Sequence, residues 1–187
     1  MLKFNNTLLI SFCFILFSGF IPGKKTKIYK DKEEAISIEL PKTWHSVSLK
    51  QGNYSSMFIS FEEIKKKGDL YATGVSITKI RSMSKTYSQV KNDADIVKLW
   101  YGAIKMVSQK HYLNEEVNFE NLKIGEFKGI IVETILQPTE NTYASHMYQA
   151  ILAYNDDLYT LTLECPAQDW ETYQPIFESA IASAVIK

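Results

Sequence analysis

Any chemistry in this chain would have to start from Cys165, the only cysteine outside the N-terminal leader. A cysteine nucleophile needs a base to make the thiolate and an accessible, electropositive setting. His146 is the candidate base, because it begins a hairpin strand whose partner runs down to Cys165. A turn at Asp156-Asp157 would pair Tyr154 with Tyr159, Leu152 with Leu161, Ala150 with Leu163 and Tyr148 with Cys165. That register sets His146 nearest Ala167, about two residues from Cys165 along the strand. The same alternation gathers Tyr148, Ala150, Leu152, Tyr154, Tyr159, Leu161, Leu163 and Cys165 on one face, so the pleat points the thiol into a core. A free cysteine there behaves as a small hydrophobe.

Other chemistries find less support. His45, His111 and His146 are far apart and show no metal-ligand spacing. Ser82-Met83-Ser84-Lys85 matches the S-x-x-K element of penicillin-recognising enzymes in form, but its partner motifs S-D-N and K-T-G do not occur. Neither a nucleophile elbow, a dinucleotide fingerprint nor a phosphate loop is present. The adjacent acids Glu62-Glu63, Glu115-Glu116 and Asp156-Asp157 are read as pointing apart or into solvent, not as acid–base pairs. The sequence therefore assigns no catalytic, metal-binding or cofactor-binding residue, and the chain reads as no enzyme.

Alternating strands and two helices must position these groups. In Ala35 to Pro41, Ile36, Ile38 and Leu40 face one way and Ser37 and Glu39 the other, and Pro41 stops the ladder. Thr43 to Leu49, Ser56 to Ile64 and Tyr71 to Ile80 supply further strands, with Lys65 to Lys67 at a solvated hairpin end. A helix follows, carrying Ile96, Trp100, Ile104, Val107 and His111 on one stripe, with Asn92 or Asp93 as its cap. Phe127 to Leu136 is apolar on both faces, which predicts a central, doubly covered strand. A last helix carries Trp170, Tyr173, Phe177, Ile181 and Ala184, and Pro175 is expected near its true start, after a short opening turn at Asp169.

The first residues read as an export signal. Lys3 precedes an uncharged, largely apolar run from Thr7 to Ile21, shorter than the ~20 residues of an ordinary spanning helix, and Pro22-Gly23 ends it. Residues 1–23 are assigned to the signal and 24–187 to a single domain, periplasmic or secreted; only an uncleaved leader would tie it to a membrane. Phe20 stands where a lipoprotein box would need its cysteine. Cys13 leaves with the leader, so no internal disulfide is available to the mature domain. Basic and acidic residues balance at 21 each, which argues against a nucleic-acid partner.

Ile36 to Trp44 ("ISIELPKTW"), with its Leu40-Pro41 and Trp44, together with the acid–aromatic–x–x–Tyr–x–Pro–x–Phe run from Asp169 to Phe177, resembles the PsbP-like family. That family is named after the extrinsic subunit of photosystem II and includes DcrB-like bacterial proteins. The resemblance spans roughly Ile28 to Ile186 and implies an α+β fold, a central antiparallel sheet with helices on both faces in an α/β/α sandwich. It also implies a non-catalytic binding or assembly module, holding an unknown protein or apolar ligand, without cofactor. On that reading function depends on surface shape, and Trp44 and the exposed rim of the hairpin are the first positions to mutate. The competing reading is a small thiol-dependent enzyme using Cys165 with His146.

Overall fold

The computed structural model describes residues 25–31, 35–63, 71–138 and 144–187, with side chains described for all of these except 107–119 and 138. The leader and the lysine run at 65–67 lie outside the described residues, as do the side chains of Val107 and His111. Strands β3 (His45–Gln51), β4 (Tyr54–Ser60), β5 (Gly74–Ile80), β6 (Tyr112–Ile124), β7 (Phe127–Pro138), β8 (Ser145–Tyr154) and β9 (Asp157–Pro166) form one sheet in the order β3-β4-β5-β9-β8-β7-β6. All its neighbours are antiparallel. β1 (Thr26–Lys30), β2 (Ile36–Pro41) and β10 (Val185–Ile186) make a second, three-stranded sheet with β2 in the middle. The helices are α1 (Met83–Thr86), α2 (Asp93–His111) and α3 (Trp170–Ala182).

Two apolar clusters lie on opposite faces of the large sheet. On one face Met57, Ile59, Val75, Ile77, Leu161 and Leu163 pack with Ile36, Ile38 and Leu40 of β2 and with Phe177, Ala180 and Ile181 of α3. On the other, Ile130, Val132, Ile151 and Leu158 pack with Ile96 of α2, flanked by Val97, Trp100 and Ile104. The alternation of β2 and the stripe of α2 produce these contacts directly. Strand nevertheless predominates and the helices are few: one covering layer is shared between α3 and the small sheet. A pure α/β/α sandwich overstates the helical layers.

Several local expectations need correction. β7 is covered on both faces, with Phe127 and Ile131 in one cluster and Ile130 and Val132 in the other. It is nonetheless next to the edge, and β9 is the middle strand. α3 begins at Trp170, well before Pro175, which sits inside it. Pro175 is exposed, so its missing backbone bond falls on the wet side, and burial of Phe177, Ala180 and Ile181 offsets a cost of about 3 kcal/mol. Asp169 occupies the N-cap position without a side-chain capping bond. For α2 the cap is Asn92, whose Oδ1 accepts from the Asp95 amide at 3.1 Å, while Asp95 Oδ2 accepts from the Lys91 amide at 2.9 Å.

Candidate functional site

The hairpin of β8 and β9 turns at Asn155-Asp156, both at positive φ (50° and 68°), a geometry that Asn and Asp tolerate. Tyr154 therefore pairs with Asp157, Leu152 with Tyr159, Ala150 with Leu161, Tyr148 with Leu163 and His146 with Cys165. The register differs by two residues from that expected with the turn one residue later. A shift of two leaves every side chain on its expected face but moves His146 from beside Ala167 to directly opposite Cys165.

The pair that could form a thiol–imidazole couple is thus brought together, yet both members are held in other roles. His146 Nε2 lies 2.8 Å from Glu133 Oε1 on the neighbouring β7, and its ring stacks on Trp170 at 3.6 Å between centroids, 15° from parallel. Burial lowers its pKa, against the raising effect of Glu133, so the imidazole is neutral at pH 7. Cys165 is fully buried. Burial, with smaller contributions from Asp169 and Glu164, pushes its thiol up to about 12. Thiolate is then about one part in 10⁵ at pH 7. Among the described residues no hydrogen bond joins Cys165 to His146. Sequence reasoning missed Glu133; its signal was a lone carboxylate inside an apolar strand.

Beside this cluster, Glu120, Glu133, Tyr148, Trp170, Gln174, Phe177 and Glu178 line a small recess of about 210 Å³. Burial raises the Tyr148 phenol, reinforced by Glu120, Glu178 and Glu133. No group of three or more His, Cys, Asp or Glu among the described residues is arranged to hold a metal ion. His45 is exposed on β3.

Ser82 stands at φ 56° ahead of the four-residue α1, so the S-x-x-K segment does open a helix. Its surroundings serve architecture. The Ser82 amide donates to Asp157 Oδ1 (3.1 Å), while the Ser84 amide and hydroxyl donate to the Asp156 carboxylate (2.8 and 2.7 Å). The Asp156 amide donates to Asp93 Oδ1 (3.2 Å), and Asp157 pairs with Lys79 (3.2 Å). These adjacent acids are therefore not idle in solvent; they fasten the hairpin tip to α1 and α2. Glu62 likewise accepts from the amides of Ala72 and Thr73. Asp156→Ala is expected to cost about 2–3 kcal/mol, from two charge-assisted bonds and a left-handed backbone. Asp156→Gly should cost less than Asp156→Ala because glycine accepts that backbone. Urea midpoints of the two variants check the order.

Trp44, named above as an early target for mutation, is buried at 6% exposure. Its carbonyl accepts from the Tyr29 hydroxyl at 2.7 Å, and its ring meets Tyr173 edge-on at 6.3 Å. It closes the core where the small sheet meets the large one, so it cannot be a contact residue.

A second, larger concavity lies on the opposite face. Asp93, Ala94, Val97, Lys98 and Tyr101 of α2 form one wall of a groove of about 590 Å³, with Glu126, Lys128, Gly129, Ile130, Ala153 and Tyr154 opposite. Small residues on both walls, Ala94 against Gly129 and Ala153, make the room. An apolar floor with charges at the rim and a volume in this range suits a small apolar body or an inserted side chain.

A family model described as PsbP matches residues 24–185. No curated protein matches in sequence. Among solved structures, the solution structure of cyanobacterial PsbP (CyanoP) from Synechocystis sp. PCC 6803 superposes with a TM-score of 0.59 at 15% identity, over 90% of this chain and 96% of that one. PA94 of Pseudomonas aeruginosa, described as a putative regulator of unknown function, gives 0.51 at 13%, over 87% and 97%. LpqN of Mycobacterium tuberculosis, described as involved in cell envelope biogenesis, gives 0.51 at 10%, over 87% and 91%. At these identities the likeness establishes a common fold.

Proposed function

The chain belongs to the PsbP family, and on that premise we propose that it is an exported, non-catalytic binding or assembly module. The observation that carries this reading is the state of Cys165: the residue best suited to covalent chemistry is sealed in the core with its thiol protonated. The binding surface proposed is the groove between α2 and β7–β8, and the occupant an apolar ligand or a protein segment offering an apolar side chain. Export rests on the leader at 1–23, and the fold shared with LpqN, a protein involved in cell envelope biogenesis, is in keeping with it. Nothing in the site favours the thiol enzyme.

The deciding experiment is thiol labelling at neutral pH with and without denaturant. The folded protein should react orders of magnitude more slowly than the unfolded chain. Cys165→Ala should cost about 1–2 kcal/mol and leave binding intact. Rapid labelling of the folded protein, with an esterase or thioesterase turnover abolished in Cys165→Ala, would overturn the reading. For the groove, Val97→Glu should abolish the fluorescence gain of an anilinonaphthalene sulfonate titration; an unchanged titration removes the groove from the proposal.

A further inference from the structure

The groove between α2 and the sheet is apolar along its floor and charged at its rim. Its α2 wall runs from Asp93 to Tyr101, about 12 Å of helix at about 1.5 Å per residue. Ala94 and Val97 line one side of the floor, Ile130 and Ala153 the other. An extended peptide laid on this floor would find no backbone edge to pair with, because β7 and β8 are each paired on both sides. Its amides would lose water without gaining partners. A hydrocarbon chain carries no such groups.

Positive charge is in excess at the rim. Lys98 stands on the α2 wall and Lys128 on the sheet wall, both exposed. The register of β6 with β7 sets Lys123 directly opposite Lys128, so both side chains leave the same face of the sheet. Like charges opposed in this way are destabilising. Among the described residues no carboxylate forms an ion pair with Lys98, Lys123 or Lys128. The acids at the rim are Asp93 and Glu126. Asp93 is held by the Asp156 amide at the start of α2, so three ammonium groups face two carboxylates, one of them already engaged.

We propose that this groove holds a long-chain fatty acid, its tail along Ala94, Val97, Ile130 and Ala153 and its carboxylate between Lys98 and Lys128. The proposal rests on the groove being the binding surface, and it names the class of ligand. A bound carboxylate supplies the negative charge that the three lysines lack, and it offsets the repulsion between Lys123 and Lys128. The linear tail follows the length of the helix wall and buries only carbon against carbon.

The test is isothermal titration calorimetry on the protein purified from its own host and stripped of bound lipid. The ligands are decanoate, decan-1-ol and decyltrimethylammonium, which share a tail and differ in the charge of the head. Decanoate should bind about tenfold or more tightly than decan-1-ol, and decyltrimethylammonium more weakly than either. Dodecanoate should exceed decanoate by about fourfold or more, as two further methylenes leave water. Lys98→Gln with Lys128→Gln should erase the preference for the carboxylate and keep the affinity for decan-1-ol. That variant should melt no lower than the wild type, since both residues are exposed and a like-charge pair is removed. Equal affinity for decanoate and decan-1-ol, or a carboxylate preference that survives loss of both lysines, overturns the proposal and leaves the apolar groove standing. Binding to phosphatidylglycerol vesicles but to no monomeric carboxylate overturns it as well. If none of the three ligands binds while anilinonaphthalene sulfonate still does so through Val97, the fatty acid alone is excluded; if that binding is absent too, the groove itself falls.

Discussion

Gly129→Ala is expected to unfold the protein or to cost about 4 kcal/mol or more, a large share of the 5–15 kcal/mol that a domain has. A Cβ at this position would stand 1.8 Å from the carbonyl oxygen of Ile151 and 2.8 Å from the Cα of Leu152. Those are backbone atoms of β8, which is hydrogen-bonded to β7 on one side and β9 on the other, so they have no rotamer to move into. Lower chain entropy in the unfolded state would favour alanine by about 0.4–1 kcal/mol, too little to compensate. Gly102→Ala is the matched control. Gly102 is exposed inside α2, and nothing lies within 4 Å of its added Cβ, so the same change should stabilise the protein by about 0.5–1 kcal/mol. Thermal midpoints of the two variants should therefore move in opposite directions. A neutral Gly129→Ala would mean that β7 and β8 are not this close.

Phe177→Ala should cost about 3–5 kcal/mol. Phe177 is fully buried and is the largest of the core side chains that α3 contributes, with Tyr173 at 6.2 Å and Trp170 at 5.9 Å between ring centroids. The same variant probes Cys165, because both belong to one apolar cluster. Loosening α3 should speed thiol labelling under conditions where the variant remains folded. Urea denaturation gives the first effect and labelling rate the second. A large loss of stability with an unchanged labelling rate would mean that access to the thiol does not run beneath α3.

Patterns of period two and 3.6 made the cores legible. Ile36, Ile38 and Leu40 alternate and are buried, and the face assigned to Cys165 survived the misplaced turn because the error was two residues, a whole period of the pleat. β6 was not foreseen: in its sequence, Tyr-Leu-Asn-Glu-Glu-Val-Asn-Phe-Glu-Asn-Leu-Lys-Ile, the apolar residues alternate only in two short stretches, Val117-Phe119 and Leu122-Ile124, that are out of phase with each other. Pro175 misled because its local penalty is plain in the sequence while the tertiary burial that outweighs it is not. The tethers made by Asp156 and Asp157 were equally hidden, since their partners Ser84, Asp93 and Lys79 are distant in sequence. Trp44 shows the same limit, as only the meeting of two sheets buries it.

The placement of β10 has a kinetic consequence. β2 pairs through Ser37 with Val185, about 150 residues further along the chain, and the Lys187 amide bonds to the Ala35 carbonyl at 2.9 Å. A loop of that length is closed at an entropic cost before the contact returns anything, and non-local pairing of this kind slows folding. Ile36, Ile38 and Leu40 therefore stay incompletely covered until the segment around Val185 arrives. During synthesis the N-terminal hairpin therefore has no third strand to accept until nearly all of the domain has been made.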